Sequence, residues 1–448
     1  MADRLEDLAT ALLHAARNAG ATAADAMAID GAAISVDVRQ GRLEQAERSE
    51  GIEIGLRVLV GQRQACVSAS DVSARTIADM AERAVAMARE APADDSVGLA
   101  DADQLARSWD IAAFELADPA ADPAASDLEA DARRAEAAAL DVKGISQIDS
   151  ASASYSRRRI HIAQSNGFVG NYERTSRAIS AVAIAGEGLE MERDWAAESR
   201  VFQHDLPSPE EVGRLAAART LARSGARKPK TGAFPVLFDE RVASTLIGHI
   251  LSATNGAAIV RGASWLRDAM GTRILPAGLS ITENPHRPRL SASRPFDAEG
   301  LPTKPRDIVS DGMLLGWTLD LASARRLGLL PTGSAVRGTS APPSPGNSNI
   351  ALTQGNRSRD ELIAEMETGL IVTGFLGASI NSTTGDYSRG VSGHWVENGQ
   401  IVHSVNECTI AGNLHDMLKR ITPANDAQLH LSHVVPSLLV EGLTLAGE

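Results

Sequence analysis

Leu5, Leu8, Leu12 and Leu13 recur at helical spacing and predict a helix over residues 3–20. The period then changes to two. Ile34, Val36 and Val38 alternate with polar residues, and Ile52, Ile54, Leu56, Val58 and Val60 share one face of a second run. Gly61-Gln62 marks a turn into a third strand at 63–69. Asp71 or Ser73 can cap a second helix whose stripe is Ile77, Met80, Ala84 and Met87. Residues 91–124, rich in Ala, Asp and Pro, read as a connection with one short helical piece.

The same order returns further on, in pattern rather than in residues, as a duplication would leave it. Ser126 can cap a helix to Leu140, strands are predicted at 145–155, 158–164 and 176–186, and Ser165-Asn166-Gly167 is a turn signal. Pro207-Ser208-Pro209 opens a helix over 209–224. Beyond it the chain is richer in Gly, Pro, Ser and short strands. A strand at 234–238 leads to a helix capped by Asp239, with Val242, Leu246, Ile250 and Leu251 buried and Gly256 ending it. Asp311-Gly312 and Asn398-Gly399 are hairpin turns, 331–349 is a long Gly/Pro/Ser loop, 369–376 and 387–405 are strands, and 412–421 is a helix. The expected fold class is α+β: two helix–antiparallel-strand–helix units followed by a larger strand-rich C-terminal domain. The expected domains are 1–92, 93–228 and 229–448.

Charge and composition narrow the functions. The 448 residues carry a formal charge of −13 and only 3% aromatics. An acidic chain with few rings repels phosphate and stacks poorly on bases, so nucleic acid is disfavoured. Arg157, Arg158 and Arg159 form a local basic run, read here as a solvated strand end. Two distant cysteines, Cys66 and Cys408, make neither a disulfide framework nor a zinc motif. Cys66 reads as a small core residue in an alternating run. Residues 1–22 lack an apolar signal-peptide core, and no run reaches the length of a membrane span, so a cytoplasmic address without membrane contact is expected.

Candidate chemistry is sparse. No phosphate-cradling or dinucleotide motif is present, and Gly390-Val391-Ser392-Gly393 falls one residue short of a nucleophile elbow. A helix-borne zinc site needs two histidines on one face and a carboxylate to activate water. The helix from 239 holds a single histidine, His249, and its window 244–256 holds no Asp or Glu. His394 and His403 flank Asn398-Gly399 and could approach each other across a hairpin, but a third ligand is missing. His430 and His433 stand apart in the tail. The most distinctive polar cluster runs from Asn381 to Gly390, with Asp386, Tyr387 and Arg389 where a loop enters a strand. It reads as a loop-borne binding site or as a structural turn in which Arg389 neutralises Asp386.

The segment Thr384–Gly399 and the segment Thr409–Leu418 resemble the PmbA (TldE) branch of the TldD/PmbA proteins. Gly262–Leu266, Asp311-Gly312 and Pro343–Asn347 extend the resemblance. It implies a cytoplasmic protein of a metallopeptidase complex whose members also bear the label modulator of DNA gyrase. TldD-type chains carry H-E-x-x-x-H and a C-terminal cysteine that hold zinc, whereas PmbA-type chains lack them and pair with a TldD-type chain to degrade or process small unfolded peptides. On that pattern His249 is a degenerate metal-helix position, this chain holds no metal or cofactor of its own, and zinc is expected in a TldD-type partner. Asn347, Asp386, Tyr387, Arg389 and His394 are then expected to contact substrate or partner, with 331–349 on the same side. Two further readings stay open: a homodimeric peptide-binding or chaperone-like protein without catalysis, and an independent hydrolase using His394, His403 or Cys408.

Overall fold

A computed structural model describes residues 2–447 and every side chain among them except those of Ala2, Asp3, Leu189, Ala378 and Ser379. The first unit runs α1 (Ala2–Ala19), β1 (Ala23–Arg39), β2 (Arg42–Val60), β3 (Arg63–Ala69) and α2 (Ala74–Glu90). The second runs α3 (Ala125–Leu140), β4 (Ile145–Gln164), β5 (Val169–Ala185), β6 (Glu192–Arg200) and α4 (Pro209–Leu221). Between them only Ile111–Phe114 forms a 3-10 turn.

The strands of both units join one six-stranded sheet, ordered β3-β2-β1-β4-β5-β6, because β1 pairs antiparallel with β4 from Asp25↔Gln164 to Val38↔Ala151. β4 is a single strand where two were expected, since the polar run Ser154–Arg159 stays in register with β5. β6, unannounced in the sequence, forms the sheet's outer edge. All four helices cover one face. Ala24, Ala26 and Ala28 pack under α1 and α2, Ile34, Val36 and Val38 under α3, and Ile179, Ala181 and Ala183 under α3 and α4. Small side chains let the helices lie close to the sheet, as an aromatic-poor core requires.

Local details correct several expectations. Ser73 caps α2, but Met87 is exposed and Ala81, Val85 and Ala88 complete the buried stripe. Ala124, not Ser126, is the cap position of α3. Cys66 is half-buried and lies opposite Arg57. Arg157 and Arg159 are not a free strand end: Arg157 binds Asp122 and Glu173, and Arg159 pairs with Glu173 and Asp30.

The C-terminal part begins with β7 (Gly232–Phe238), α5 (Glu240–Ala253) and α6 (Gly256–Val260). Gly256 therefore opens a helix, capped by Asn255, rather than closing one. Short strands β8 (Ile281–Glu283), β9 (Arg306–Ser310) and β10 (Met313–Leu314) are followed by α7 (Leu321–Leu327). The loop 331–349 is pinned by β11 (Ala335–Val336) against β12 (Ser344–Pro345), and β13 (Ile350–Leu352) and α8 (Arg359–Met366) follow. The long strands are β14 (Gly369–Ile380), β15 (Asp386–Glu397) and β16 (Gln400–Asn413). The helix expected at 412–421 shrinks to α9 (Leu414–Leu418), ahead of β17 (Ile421–Pro423), β18 (His433–Val434) and β19 (Leu438–Ala446).

β16-β15-β14-β7-β19 form one sheet, and β16 also pairs with β19, so these five strands close into a ring. Its inner side carries Val236, Phe238, Leu370, Val372, Tyr387, Val391 and Trp395 against Val242, Leu246 and Ile250 of α5. Its outer side carries Leu237, Ile371, Val396 and Leu439 against Leu362, Ile363 and Met366 of α8. The hairpin at Asn398-Gly399 has both residues at positive φ, 52° and 71°, the conformation that Asn-Gly adopts at least cost.

Candidate functional site: a cleft and a donor cluster beside it

The face of the first sheet opposite its helices is open over β4, β5 and β6. There it meets the C-terminal ring across a cleft of ≈ 1550 Å³. Ser152, Ser154, Ser176 and Ser180 form a floor of small hydroxyls. Trp195, Leu376 and Leu431 stand into the space with 53%, 62% and 42% of their surface exposed. β14 pairs with β7 only from Leu370 to Val372, so among the described residues its Thr373–Leu376 edge toward β7 carries no strand partner, and this stretch lines the cleft. Arg241 ties the walls together: its guanidinium binds both Asp194 oxygens at 2.8 and 3.1 Å, joining α5 to β6. Asp194 is held below the usual carboxylate range by these bonds against the cost of its burial.

Beside the cleft the fold brings together three residues singled out in the sequence. Tyr387 and Arg389 are two apart on β15 and so share the inner face, toward α5. His249, on α5, meets the Tyr387 ring edge-on at 5.9 Å between centroids. The Arg389 guanidinium stacks 3.8 Å over Phe375, a cleft residue, and donates twice to the Gly377 carbonyl at 3.2 Å. The Tyr387 hydroxyl and the His249 Nε2 are buried; the Nε2 has no hydrogen-bond partner among the described residues, and the hydroxyl has only the Arg389 guanidinium. Burial, then the Arg389 charge, holds the His249 imidazole below its ordinary value. Burial pushes the Tyr387 hydroxyl up, while Arg389 pulls against it.

The other predicted residues lie elsewhere. Asp386 faces away from Arg389; its carboxylate accepts from the Thr384 hydroxyl at 2.6 Å and the Asn413 amide at 3.0 Å. The expected neutralisation of Asp386 by Arg389 therefore does not occur. Asn347 donates to the Thr318 hydroxyl at 3.0 Å, which also accepts from Arg306. His394 sits on the outer side of the ring, among Arg359, Asp239, Arg223 and Asp194, and is lowered chiefly by burial. His394 pairs with Ser404 and His403 with Trp395, so the two histidines project from opposite faces and cannot share a ligand. Residues Arg337 to Thr339 of the long loop are sealed against the first sheet: Arg337 pairs with Asp25, and Thr339 bonds Glu53.

These side chains do not suit zinc. Among the described residues no three His, Cys, Asp or Glu side chains converge, and the charge facing His249 is a guanidinium. Cys408 is buried, donates to the Val391 carbonyl at 3.6 Å and is pushed up to about 11 by burial, which disfavours a thiolate ligand.

Comparison with known proteins fixes the lineage. Residues 24–88, 118–224 and 231–447 match domain 1, the central domain and the C-terminal domain of the PmbA/TldA metallopeptidases. Metalloprotease PmbA of Escherichia coli O157:H7 is 37% identical over 416 residues, 93% of this chain and 90% of that protein. The chain belongs to the PmbA/TldD family, in its PmbA (TldE) branch. The PmbA homolog of Haemophilus influenzae is 35% identical over 92% of this chain and 90% of its own length. A Bacteroides thetaiotaomicron structure described as a candidate modulator of DNA gyrase superposes with a TM-score of 0.92 at 27% identity, covering 100% of this chain and 99% of that one. TldE from Thermococcus kodakarensis shares the fold, with a TM-score of 0.86 at 18% identity, over 98% of this chain and all of that one. Among the described residues no helix is long and apolar enough to cross a membrane.

Sequence reasoning missed the cleft itself. Its walls come from β6, from the middle of β14 and from residues 428–432, which meet only in the folded chain. The exposed Trp195 in an otherwise polar stretch was the one available signal.

Proposed function

We propose that this chain is the zinc-free, peptide-binding subunit of a metallopeptidase complex, paired with a TldD-type chain that supplies the zinc. The observation that carries this reading is the donor set on α5. His249 is the one histidine of α5 and faces Arg389, and the helix's acidic residue, Glu240, lies more than two turns away, where hydrolysis would require a second histidine and a carboxylate beside it. The adjoining cleft suits an extended peptide. A strand edge at Thr373–Leu376 offers main-chain hydrogen bonds independent of sequence, and the serine floor leaves room for side chains of many sizes. Binding in this form excludes folded proteins, because their backbone groups are already paired. A cytoplasmic address accompanies this reading.

Affinity purification of the full chain from its source cell, with zinc quantified in each fraction, tests the proposal. The expected outcome is a TldD-type chain in the eluate, zinc only in the complex, and peptide hydrolysis abolished by chelator. Stoichiometric zinc and chelator-sensitive hydrolysis from this chain alone would overturn it. A homodimer that binds peptide with no such partner would leave the cleft assignment and remove the pairing.

A further inference from the structure

The cluster of Tyr387, His249 and Arg389 holds unused hydrogen-bonding capacity. The residue Tyr387 is 2% exposed, and its hydroxyl has no partner among the described residues but the Arg389 guanidinium. Arg389 can only donate, so the hydroxyl's own hydrogen is left without an acceptor, at a cost of about 1–3 kcal/mol. The His249 Nε2 has no partner among the described residues. Arg389 has no carboxylate partner among the described residues; it meets the Phe375 ring, the Gly377 carbonyl and the Tyr387 hydroxyl. The charge acting on His249 and Tyr387 is that of Arg389. The cluster is therefore rich in donors, cationic and, among the described residues, without an acidic partner.

We infer that Tyr387, His249 and Arg389 form a binding site for a carboxylate of the peptide that occupies the cleft. This inference rests on the reading of the cleft as a peptide site. A carboxylate suits the three groups by valence: it accepts from a phenol, an imidazole N–H and a guanidinium at once, and its charge offsets Arg389. Phe375 belongs both to the cleft wall and to the Arg389 stack, so a peptide lying along Thr373–Leu376 ends or bends at the donors. The carboxylate is either the peptide's C-terminus or an acidic side chain. The two share one chemistry and separate in the test below.

The test is calorimetric titration of the full purified chain with three acetylated peptides: hexa-alanine with a free C-terminus, its C-terminal amide, and the amide with one central glutamate. The expected result is about tenfold tighter binding of a carboxylate-bearing peptide than of plain amide, the worth of charge-assisted hydrogen bonds. Preference for the free acid assigns the C-terminus; equal preference for the glutamate peptide assigns any carboxylate. Tyr387→Phe and Arg389→Met should each bring the ratio toward one. Equal binding of all three peptides overturns the carboxylate site and leaves the peptide cleft standing. Failure of all three peptides to bind removes both. Pairing with a zinc subunit is read by copurification and metal content, which this titration does not touch.

Discussion

At the residue scale the chain places charge where burial makes it costly and then compensates it. Asp25 takes Arg57 at 2.5 Å and the loop residue Arg337, with all three side chains almost wholly buried. Nearby, Asp297, Glu299 and Asp320 are buried together, and the Glu299 carboxyl is pushed up to about 8 by burial first, then by Asp297 and Asp320. A carboxyl raised in the folded state binds its proton more tightly there than in the unfolded chain. Its stabilising share is complete below the ordinary value of 4.5 and is lost as pH rises through about 8. Glu299→Gln, which can still accept from the Leu321 amide, should therefore raise the melting temperature by a few degrees at pH 9 and change it little near pH 4.5. Thermal unfolding at the two pH values checks this, and an equal shift at both would remove Glu299 as the source. None of this was legible in the sequence, where Asp25, Arg57, Asp297 and Arg337 look like ordinary surface charges. Tyr387 and Arg389, by contrast, were visible as a polar cluster. Their partner His249, more than a hundred positions upstream, is brought to them by the packing of α5 against β15.

At the element scale, periodicity predicted what depends on near neighbours. The helices α1, α2, α3 and α5, the Ser73 and Asp239 caps and the two hairpin turns all follow from local spacing. The missed strand features, the unbroken β4 and the edge strand β6, share one cause: each is held by partners distant in sequence. β4 continues through its arginine run because Asp122 and Glu173 neutralise Arg157, and Asp30 and Glu173 neutralise Arg159. Two glycines show how neighbours decide the sign of a substitution. A Cβ on Gly213 of α4 would meet the Ala135 carbonyl at 2.1 Å, whereas at Gly248 of α5 nothing lies within 4 Å. Gly213→Ala should destabilise the protein by ~1–3 kcal/mol through forced separation of α3 and α4. Gly248→Ala should stabilise by roughly 0.5–1 kcal/mol, the helix preference of Ala over Gly. Denaturant unfolding of the two variants measures both, and a gain for Gly213→Ala would show that the helices can part without cost.

At the scale of the whole molecule, the first sheet and the C-terminal ring enclose a cleft that neither could form alone. Arg241 with Asp194 and Arg223 with Glu192 and Ser392 clamp its two sides. Exposed apolar side chains at such a place mark a surface that binds something. Trp195→Ala combined with Leu376→Ala should weaken binding of an extended peptide by about tenfold, the worth of roughly 50 Å² of apolar contact. Leu376 is largely in solvent, whereas Trp195 is about half buried under Arg241, so the melting temperature should fall only modestly and the fold persist. Unchanged peptide affinity, measured by titration with the amidated hexa-alanine, would place the peptide elsewhere.

The amino-acid sequence alone determined the α+β class, most helices and turns, the lone His249 on its helix and the membership of the PmbA/TldD family. These rest on local periodicity, on turn chemistry and on motifs that lie within a few residues of each other. Only the tertiary structure decided that two repeated-looking units share one sheet, that the β15 and β16 histidines face opposite ways, and that Tyr387, His249 and Arg389 converge beside a cleft. Strand order, strand register and the meeting of distant side chains are set by long-range packing, and the spacing of residues along a chain does not encode them.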